Sequence, residues 1–163
     1  MNRPPVGVAV VSGAGSGIGR EIALALARRG RCLALVGRRA EPLSRVLGES
    51  GARGLVLDLD VRDAGGLAAA AIRVESELGP VEEVVPAAGI ASVAPFLATP
   101  AAEFEAALAT NLTGVANLAR AFLPAMLERK RGVLVALLSV ASRRAFPGWS
   151  AYCSSKFGLL GLG

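Results

Sequence analysis

Short apolar runs alternate along the chain with longer segments in which apolar residues recur at helical spacing. The predicted strands are Val6–Val11, Cys32–Val36, one around Leu55–Leu57, one beginning at Val84–Val85, and Val133–Leu138. The predicted helices are Gly17–Arg29, Ala40–Gly48, one through Leu67 and Leu78, a long one through Phe104 and Phe122, and one from Tyr152 to Leu160. Unbroken apolar runs are typical of strands buried on both faces. The alternation therefore predicts an α/β fold, a Rossmann-like doubly wound parallel sheet with helices on both faces.

Glycines mark the predicted ends of the helices. Gly30 ends the first helix, whose predicted buried face carries Ile18, Ile22, Ala25 and Leu26. Gly79-Pro80 ends the third helix, and Gly132 ends the long one. At roughly 150 residues per domain, the 163 residues make one dinucleotide-binding domain over 1–163.

Composition excludes several classes of chemistry. The chain has no histidine, which excludes a Ser-His-Asp triad, a Cys-His nucleophile and a histidine-ligated metal. The two cysteines cannot form a disulfide framework or a four-thiolate zinc site, so we expect no metal and a reduced, cytoplasmic setting. The apolar runs are too short for a signal peptide or a membrane span, so we expect no membrane partner.

The net charge of +5 raises the question of nucleic acid. The arginines are scattered in small clusters, and aromatic residues make up only 4% of the chain, too few for base stacking. We therefore expect no nucleic-acid partner and interpret most clusters as solvated loop and helix-end charges. Arg38 is the exception, because it is also placed to bind the phosphate of a small cofactor.

A glycine-rich segment follows the first predicted strand and opens the first predicted helix. The candidate cofactor-binding residues in it are Gly13, Gly15, Ser16, Gly17, Ile18 and Gly19. Glycines permit a tight turn and a close approach to a pyrophosphate, and the helix N-terminus offers free N–H groups to the anion. No Lys-Ser/Thr pair follows, so the segment is not a Walker A loop.

The residues at the end of the second predicted strand indicate which form of the adenosine ribose would be bound. An acidic residue there would bind the 2′-hydroxyl, whereas a nearby arginine would accommodate a 2′-phosphate. The sequence has Gly37-Arg38-Arg39 at this point. We therefore favour NADP(H) over NAD(H), with ordinary loop charges as the alternative interpretation of Arg38 and Arg39.

Tyr152 and Lys156 stand at i and i+4 and share one face if their segment is helical. An ammonium close to a phenol favours the phenolate, so Tyr152 could exchange a proton with a substrate oxygen. Ser139 follows the fifth predicted strand, at the sheet edge where ligands bind in open parallel sheets. Asn111 interrupts the apolar stripe of the long helix, and a buried amide needs partners. Bracing of the helix and a catalytic role are equally open for Asn111.

Together these residues resemble the short-chain dehydrogenase/reductase family, over the chain from Pro5 to Gly163. The turn from Ser12 to Gly19 is similar to the family's Thr/Ser-Gly-x-x-x-Gly-x-Gly motif. Asp60-Val61 matches the position that holds the adenine, and Ala88-Gly89 matches the end of the Asn-Asn-Ala-Gly motif. The matches to the family's catalytic tetrad are Asn111, Ser139, Tyr152 and Lys156.

The resemblance implies hydride transfer between a nicotinamide cofactor and a small carbonyl or alcohol substrate. It implies that Tyr152 is the acid/base and that Lys156 binds the nicotinamide ribose and supports Tyr152. It further implies that Ser139 orients the substrate oxygen and that Asn111 holds a water in a proton relay. Tyr152 and Lys156 are thus candidate cofactor-binding residues as well as catalytic ones.

Two departures from the family pattern affect these expectations. Pro86-Ala87 stands where the family usually has Asn-Asn, and Pro86 removes a backbone donor from a strand. The chain also ends at Gly163, seven residues after Lys156, without the family's last strands and substrate loop. We expect either a fragment of a longer reductase or a truncated form with impaired activity, and a family-like homo-oligomer would have an incomplete interface. The alternative function is a truncated, non-catalytic nucleotide-binding or interaction protein.

Overall fold

A computed structural model describes residues 7–163 and shows one parallel five-stranded sheet in the order β3-β2-β1-β4-β5. The strands are β1 (Val8–Ser12), β2 (Cys32–Gly37), β3 (Gly54–Asp58), β4 (Val81–Pro86) and β5 (Val133–Leu134). The helices are α1 (Gly17–Arg28), α2 (Ala40–Ser50), α3 (Ala64–Leu78), α4 (Ala101–Leu108), α5 (Gly114–Glu128) and α6 (Ser150–Leu162). The start of the first predicted strand, at Val6, lies outside the described residues.

Helices cover the sheet on both faces, which confirms the predicted doubly wound α/β fold. On β1, Val8 and Val10 pack in one core cluster with residues of α3 and α5, including Phe122. Their neighbours Ala9 and Val11 pack in a second cluster with residues of α1 and α2. This alternation follows from the two-residue period of a strand. It also explains why the strands carry continuous apolar runs.

The order of the strands reverses between β1 and β4. The chain leaves β1 to build β2 and β3 on one side, then returns to add β4 and β5 on the other side. The loops that follow β1 and β4 therefore open at the same edge and leave a crevice between them, which is the usual ligand site of such sheets. No helix within residues 7–163 is both long and apolar enough to cross a membrane.

The prediction of which α1 residues are buried is partly wrong. The side chain of Ile18 is 69% exposed, and the buried residues of α1 are Gly19, Ala23, Leu24 and Leu26. A residue of the first helical turn lies beside the mouth of the crevice rather than over the sheet. Ile18 therefore contributes to the crevice and not to the core.

The fifth strand is much shorter than the predicted Val133–Leu138. β5 pairs with β4 only at Val133 and Leu134, after which the N–H of Val135 donates to the Val84 carbonyl at 2.9 Å. Alternate residues of a parallel strand direct their backbone groups to the same neighbour, so Pro86 faces β5 as Val84 does. Pro86 has no N–H to donate, so the next hydrogen bond of the ladder, to the Val135 carbonyl, cannot form.

The predicted long helix is continuous but is interrupted by a π-helical turn over Ala109–Thr113, which separates α4 from α5. Asn111 lies inside this turn and is 1% exposed. Turns of this kind appear as single insertions in helices and are frequent at functional sites. The apolar period alone did not predict it, because Val115, Leu118 and Phe122 continue the stripe on the buried side.

Candidate functional site

The glycine-rich turn after β1 is folded tightly against the loop after β4. Gly13 has φ +64°, and an added Cβ would lie 2.8 Å from backbone atoms of Ala88. Gly17, with φ +54°, faces open space, so its glycine is required by backbone conformation alone. The turn leads directly into α1, whose first N–H groups point out of the helix end. The result is a backbone cradle suited to an anion.

A cavity of about 360 Å³ occupies the crevice between these loops. Most of the predicted cofactor-binding residues line it: Gly13, Gly15, Ser16, Ile18, Gly19, Arg38, Asp60, Val61, Ala88 and Gly89. The lining also includes residues that the sequence did not single out, among them Pro42, Leu43, Leu59, Ile90 and Thr110, and it includes Arg39. Gly17, Ser139, Tyr152 and Lys156 are not among the lining residues.

The end of the cavity beside Arg38 and Asp60 is positively charged. Arg38 and Arg39 line it, and the one lining carboxylate, Asp60, is paired with the Arg62 guanidinium at 2.6 Å. The hydrogen bond from Arg62 lowers the pKa of Asp60, and the charge of Arg38 acts in the same direction. Because Asp60 is already neutralised by Arg62, the two lining arginines remain as net positive charge at this end. The residues present therefore fit an anionic dinucleotide cofactor.

Hydrogen bonds to Ser12 and Asn111 hold the loop after β4, which contains the Pro86-Ala87 departure at its start. The buried Ser12 hydroxyl oxygen accepts hydrogen bonds from the backbone N–H groups of Ala87 and Ala88, both at 3.1 Å. Further along, the Ile90 N–H donates to Asn111 Oδ1 at 2.8 Å, and Asn111 Nδ2 donates back to the Ile90 carbonyl at 2.8 Å. These bonds fix both ends of the segment that lines the cavity.

Asn111 also connects this loop to α6. Its Nδ2 donates to the hydroxyl of Ser155 at 3.0 Å, and that hydroxyl donates to the Tyr152 carbonyl at 2.7 Å. The buried amide of Asn111 therefore has partners on both the backbone and a side chain. Ser155, which is fully buried, is a residue that sequence reasoning missed. Only its place between Tyr152 and Lys156 in the motif could have indicated it.

Tyr152 and Lys156 share one face of α6, as their spacing predicts. The Lys156 Nζ lies 5.7 Å from the centre of the Tyr152 ring, and it donates to the Leu137 carbonyl at 2.7 Å. Burial lowers the pKa of the Lys156 ammonium. Trp149 meets the ring of Tyr152 edge-on, with 5.6 Å between the ring centroids. The pair thus combines a phenol and a desolvated ammonium one helical turn apart.

Ser139 lies beyond the short β5 and not at its carboxyl end. It caps a 3₁₀ turn over Val140–Ser142, where its side chain accepts a hydrogen bond from the Ala141 N–H at 3.1 Å. The hydroxyl of Ser142 accepts from the Ser139 N–H in return. This reciprocal capping fixes the backbone of Ser139 and leaves its hydroxyl proton free to be donated.

Among residues 7–163, no group of three or more His, Cys, Asp or Glu could hold a metal ion.

A doubly wound parallel sheet with a glycine cradle at its switch point defines a dinucleotide-binding protein of the Rossmann type. Residues 7–163 match the family model described as short chain dehydrogenase. The chain belongs to the short-chain dehydrogenase/reductase family, a family of oxidoreductases that use a nicotinamide cofactor.

Known proteins of this family are similar along almost the whole chain. A D-threitol dehydrogenase of Mycolicibacterium smegmatis is 38% identical over 95% of this chain and 61% of its own length. The probable oxidoreductase EphD of Mycobacterium tuberculosis is 43% identical over 90% of this chain and 25% of its own length. A metagenomic short-chain oxidoreductase solved in complex with NADP is 35% identical, with a TM-score of 0.90 over 96% of this chain and 72% of its own. The chain spans 61% or less of the two curated relatives.

Proposed function

We propose that this chain is the cofactor-binding and proton-transferring part of an NADP(H)-dependent reductase or dehydrogenase acting on a small carbonyl or alcohol. The observation that carries the proposal is the hydrogen-bonded connection from Ile90 through Asn111 and Ser155 to Tyr152. It joins a wall of the glycine-rich cavity to the helix that carries the phenol and the ammonium. A cavity and a Tyr/Lys pair without such a connection would be much weaker support.

The residues of the cavity would hold the cofactor along its length. The N–H groups of the glycine-rich turn and the start of α1 would bind the pyrophosphate. Asp60 and Val61 would hold the adenine, and Arg38 would bind the 2′-phosphate. Ala88 and Gly89 would hold the nicotinamide half, which would supply or accept the hydride when bound. The positive charge of Arg38 and Arg39 supports NADP(H) over NAD(H).

Tyr152 would hold and move the proton at its phenolic oxygen. It would donate that proton to a carbonyl oxygen during reduction and take it back during oxidation. Lys156 would bind the nicotinamide ribose and place its ammonium beside the ring of Tyr152. Ser139 would donate a hydrogen bond to the substrate oxygen and keep it within reach of Tyr152.

Asn111 would act by bracing these parts. Both hydrogens of its Nδ2 are already donated, one to the Ile90 carbonyl and one to Ser155. A water in a relay to Lys156 would therefore have to be held by groups other than the Asn111 amide N–H.

The first test is the binding of NADPH and NADH, followed by NADPH oxidation with a panel of carbonyl compounds. We expect NADPH to bind more tightly than NADH and turnover to be lost in Tyr152→Phe. Arg38→Asp should weaken NADPH binding more than NADH binding. Arg45→Asp, which makes the same change of charge on an exposed part of α2 outside the cavity, is the control.

Two outcomes would contradict the proposal. Equal effects of Arg38→Asp on both cofactors would overturn the 2′-phosphate assignment. Turnover that survives Tyr152→Phe would show that Tyr152 is not the acid. Cofactor binding without any turnover would instead support the alternative of a non-catalytic nucleotide-binding protein, which the altered Pro86-Ala87 segment and the short β5 favour.

A further inference from the structure

The loop that follows β3 forms the adenine end of the cavity through Asp60 and Val61. This loop is held from the side opposite the cavity by α5. Asn117, which is 7% exposed, donates through Nδ2 to the Val61 carbonyl at 3.1 Å and lies 3.5 Å from the Arg62 carbonyl. A single buried amide thus reaches two consecutive carbonyl groups of the loop.

The contact surface of α5 is shaped for this loop one turn before Asn117. An added Cβ at Gly114 would lie 2.6 Å from Cγ2 of Val61, so only glycine allows the loop to come this close to the helix. Val61 is 5% exposed and sits in that space. Gly114 therefore sets how near the loop approaches, and Asn117 sets where its carbonyl groups point.

The N–H groups of the same loop are fixed by Asp60. Its Oδ1 accepts from the Arg62 N–H at 2.9 Å, and its carbonyl accepts from the Asp63 N–H at 3.0 Å. The carboxylate orients the loop on the cavity side, while Asn117 holds the carbonyl side. Without Asn117, the Val61 carbonyl would be buried without this hydrogen-bond donor. A change of loop conformation that exposed the carbonyl to water would then be favoured in free energy.

We propose that Asn117 is a positioning residue for cofactor binding, acting through Val61 and Asp60 on the adenine end of the dinucleotide. The inference rests on the proposed function, because it assumes that the cavity takes a dinucleotide with its adenine at Asp60. Asn117 itself does not line the cavity. Its effect is therefore on the shape of the adenine site and not on the proton-transfer residues.

The test compares Asn117→Leu with Thr113→Leu in the full chain. Both replace a polar residue of the same helical segment by leucine, but Thr113 is exposed. The probes are NADPH and adenosine 2′,5′-bisphosphate, which carries only the adenine end. We expect Asn117→Leu to weaken the binding of both probes by the same factor of about 10, the effect of one lost hydrogen bond. Thr113→Leu should leave both unchanged.

The fraction of folded protein is measured beside each titration by circular dichroism. If Asn117→Leu does not fold, Asn117→Ala makes the same comparison without adding volume. A folded variant that binds both probes as the wild type does overturns the inference, and so does a loss confined to NADPH. A wild-type chain that binds neither probe contradicts the proposed function itself, before any variant is compared.

Discussion

Gly19 is the point at which the glycine-rich turn and the first helix come closest. An added Cβ at Gly19 would lie 2.8 Å from the carbonyl carbon of Gly13 and 3.2 Å from the carbonyl oxygen of Ser12. These are backbone atoms, and the Gly13 N–H is tied to the Val36 carbonyl of β2 at 2.9 Å. We therefore expect Gly19→Ala to displace the turn, since neither neighbour can move aside as a side chain could.

The expected magnitude follows from two opposing effects. Carbon atoms in ordinary contact are about 3.5–4.0 Å apart, so the turn would have to move by roughly 1 Å. Overpacking of this kind costs about 1–3 kcal/mol. Replacing a helical glycine by alanine recovers about 1 kcal/mol. The free energy of unfolding should therefore fall by up to about 2 kcal/mol.

Gly48 provides the matched control in α2. It is exposed, and an added Cβ meets nothing within 4 Å. Gly48→Ala should therefore raise the free energy of unfolding by about 0.5–1 kcal/mol, because only the entropic gain remains. The same substitution is thus expected to have opposite signs in two helices of one protein.

The assay is urea unfolding, followed by circular dichroism, together with NADPH titration of each variant. Gly19→Ala should lose at least tenfold in NADPH affinity, because the displaced turn no longer presents its N–H groups to the pyrophosphate. Gly48→Ala should bind as the wild type does. A Gly19→Ala variant that is both more stable than the wild type and equal to it in NADPH affinity would refute the steric reasoning.

Three further predictions concern side chains that hold the site together. Ser12→Ala should lower the free energy of unfolding by about 1–3 kcal/mol in urea titrations, because the partly buried N–H groups of Ala87 and Ala88 lose their acceptor. Ser12→Thr keeps a hydroxyl acceptor and should retain most of this stability. Ser155→Ala should lower kcat several-fold with little change in cofactor Kd, since Asn111 then loses its link to α6; the exposed neighbour Ser154→Ala is the control, and equal effects of the two would contradict the link. Because the pKa of Asp60 is lowered in the folded state, its contribution to stability is complete above the unfolded value of about 3.9 and is lost as the pH falls through the lower folded value. Urea titrations should therefore show Asp60→Asn less stable than the wild type at pH 7, with the difference closing in acid; a difference independent of pH would contradict the linkage.

The fold could be predicted from the sequence because its signals are local. Each strand is an apolar run, each helix has its own period, and glycines mark the turns between them. The fifth strand was predicted too long because its end depends on a residue that is distant in the sequence. The apolar run from Val133 to Leu138 is a good strand sequence, but its length in the sheet depends on Pro86, which lies in a different strand.

The candidate site could be predicted only in part, for a similar reason. Residues with a recognisable motif, such as Gly13 and Asp60, line the cavity as expected. Asn117 and Ser155 carry no such motif, and their roles depend on carbonyl groups that tertiary folding brings to them. The helical period placed Ile18 on the buried face of α1 because it cannot tell the sheet from the open crevice. The glycine-rich motif placed Ile18 among the candidate cofactor-binding residues, and Ile18 lines the cavity.

The missing N–H of Pro86 affects how readily different parts of the sheet open to solvent. Amide protons of β1 lie in the middle of the sheet between two neighbours and should exchange with solvent only when the whole domain unfolds. Amides of residues 136–138, past the end of the β4–β5 ladder, should exchange through small local openings. The free energy of opening should therefore be high for β1 and low for residues 136–138. The turn after β1 should therefore be held rigidly by the centre of the sheet, whereas residues 136–138 should open to solvent without unfolding of the sheet.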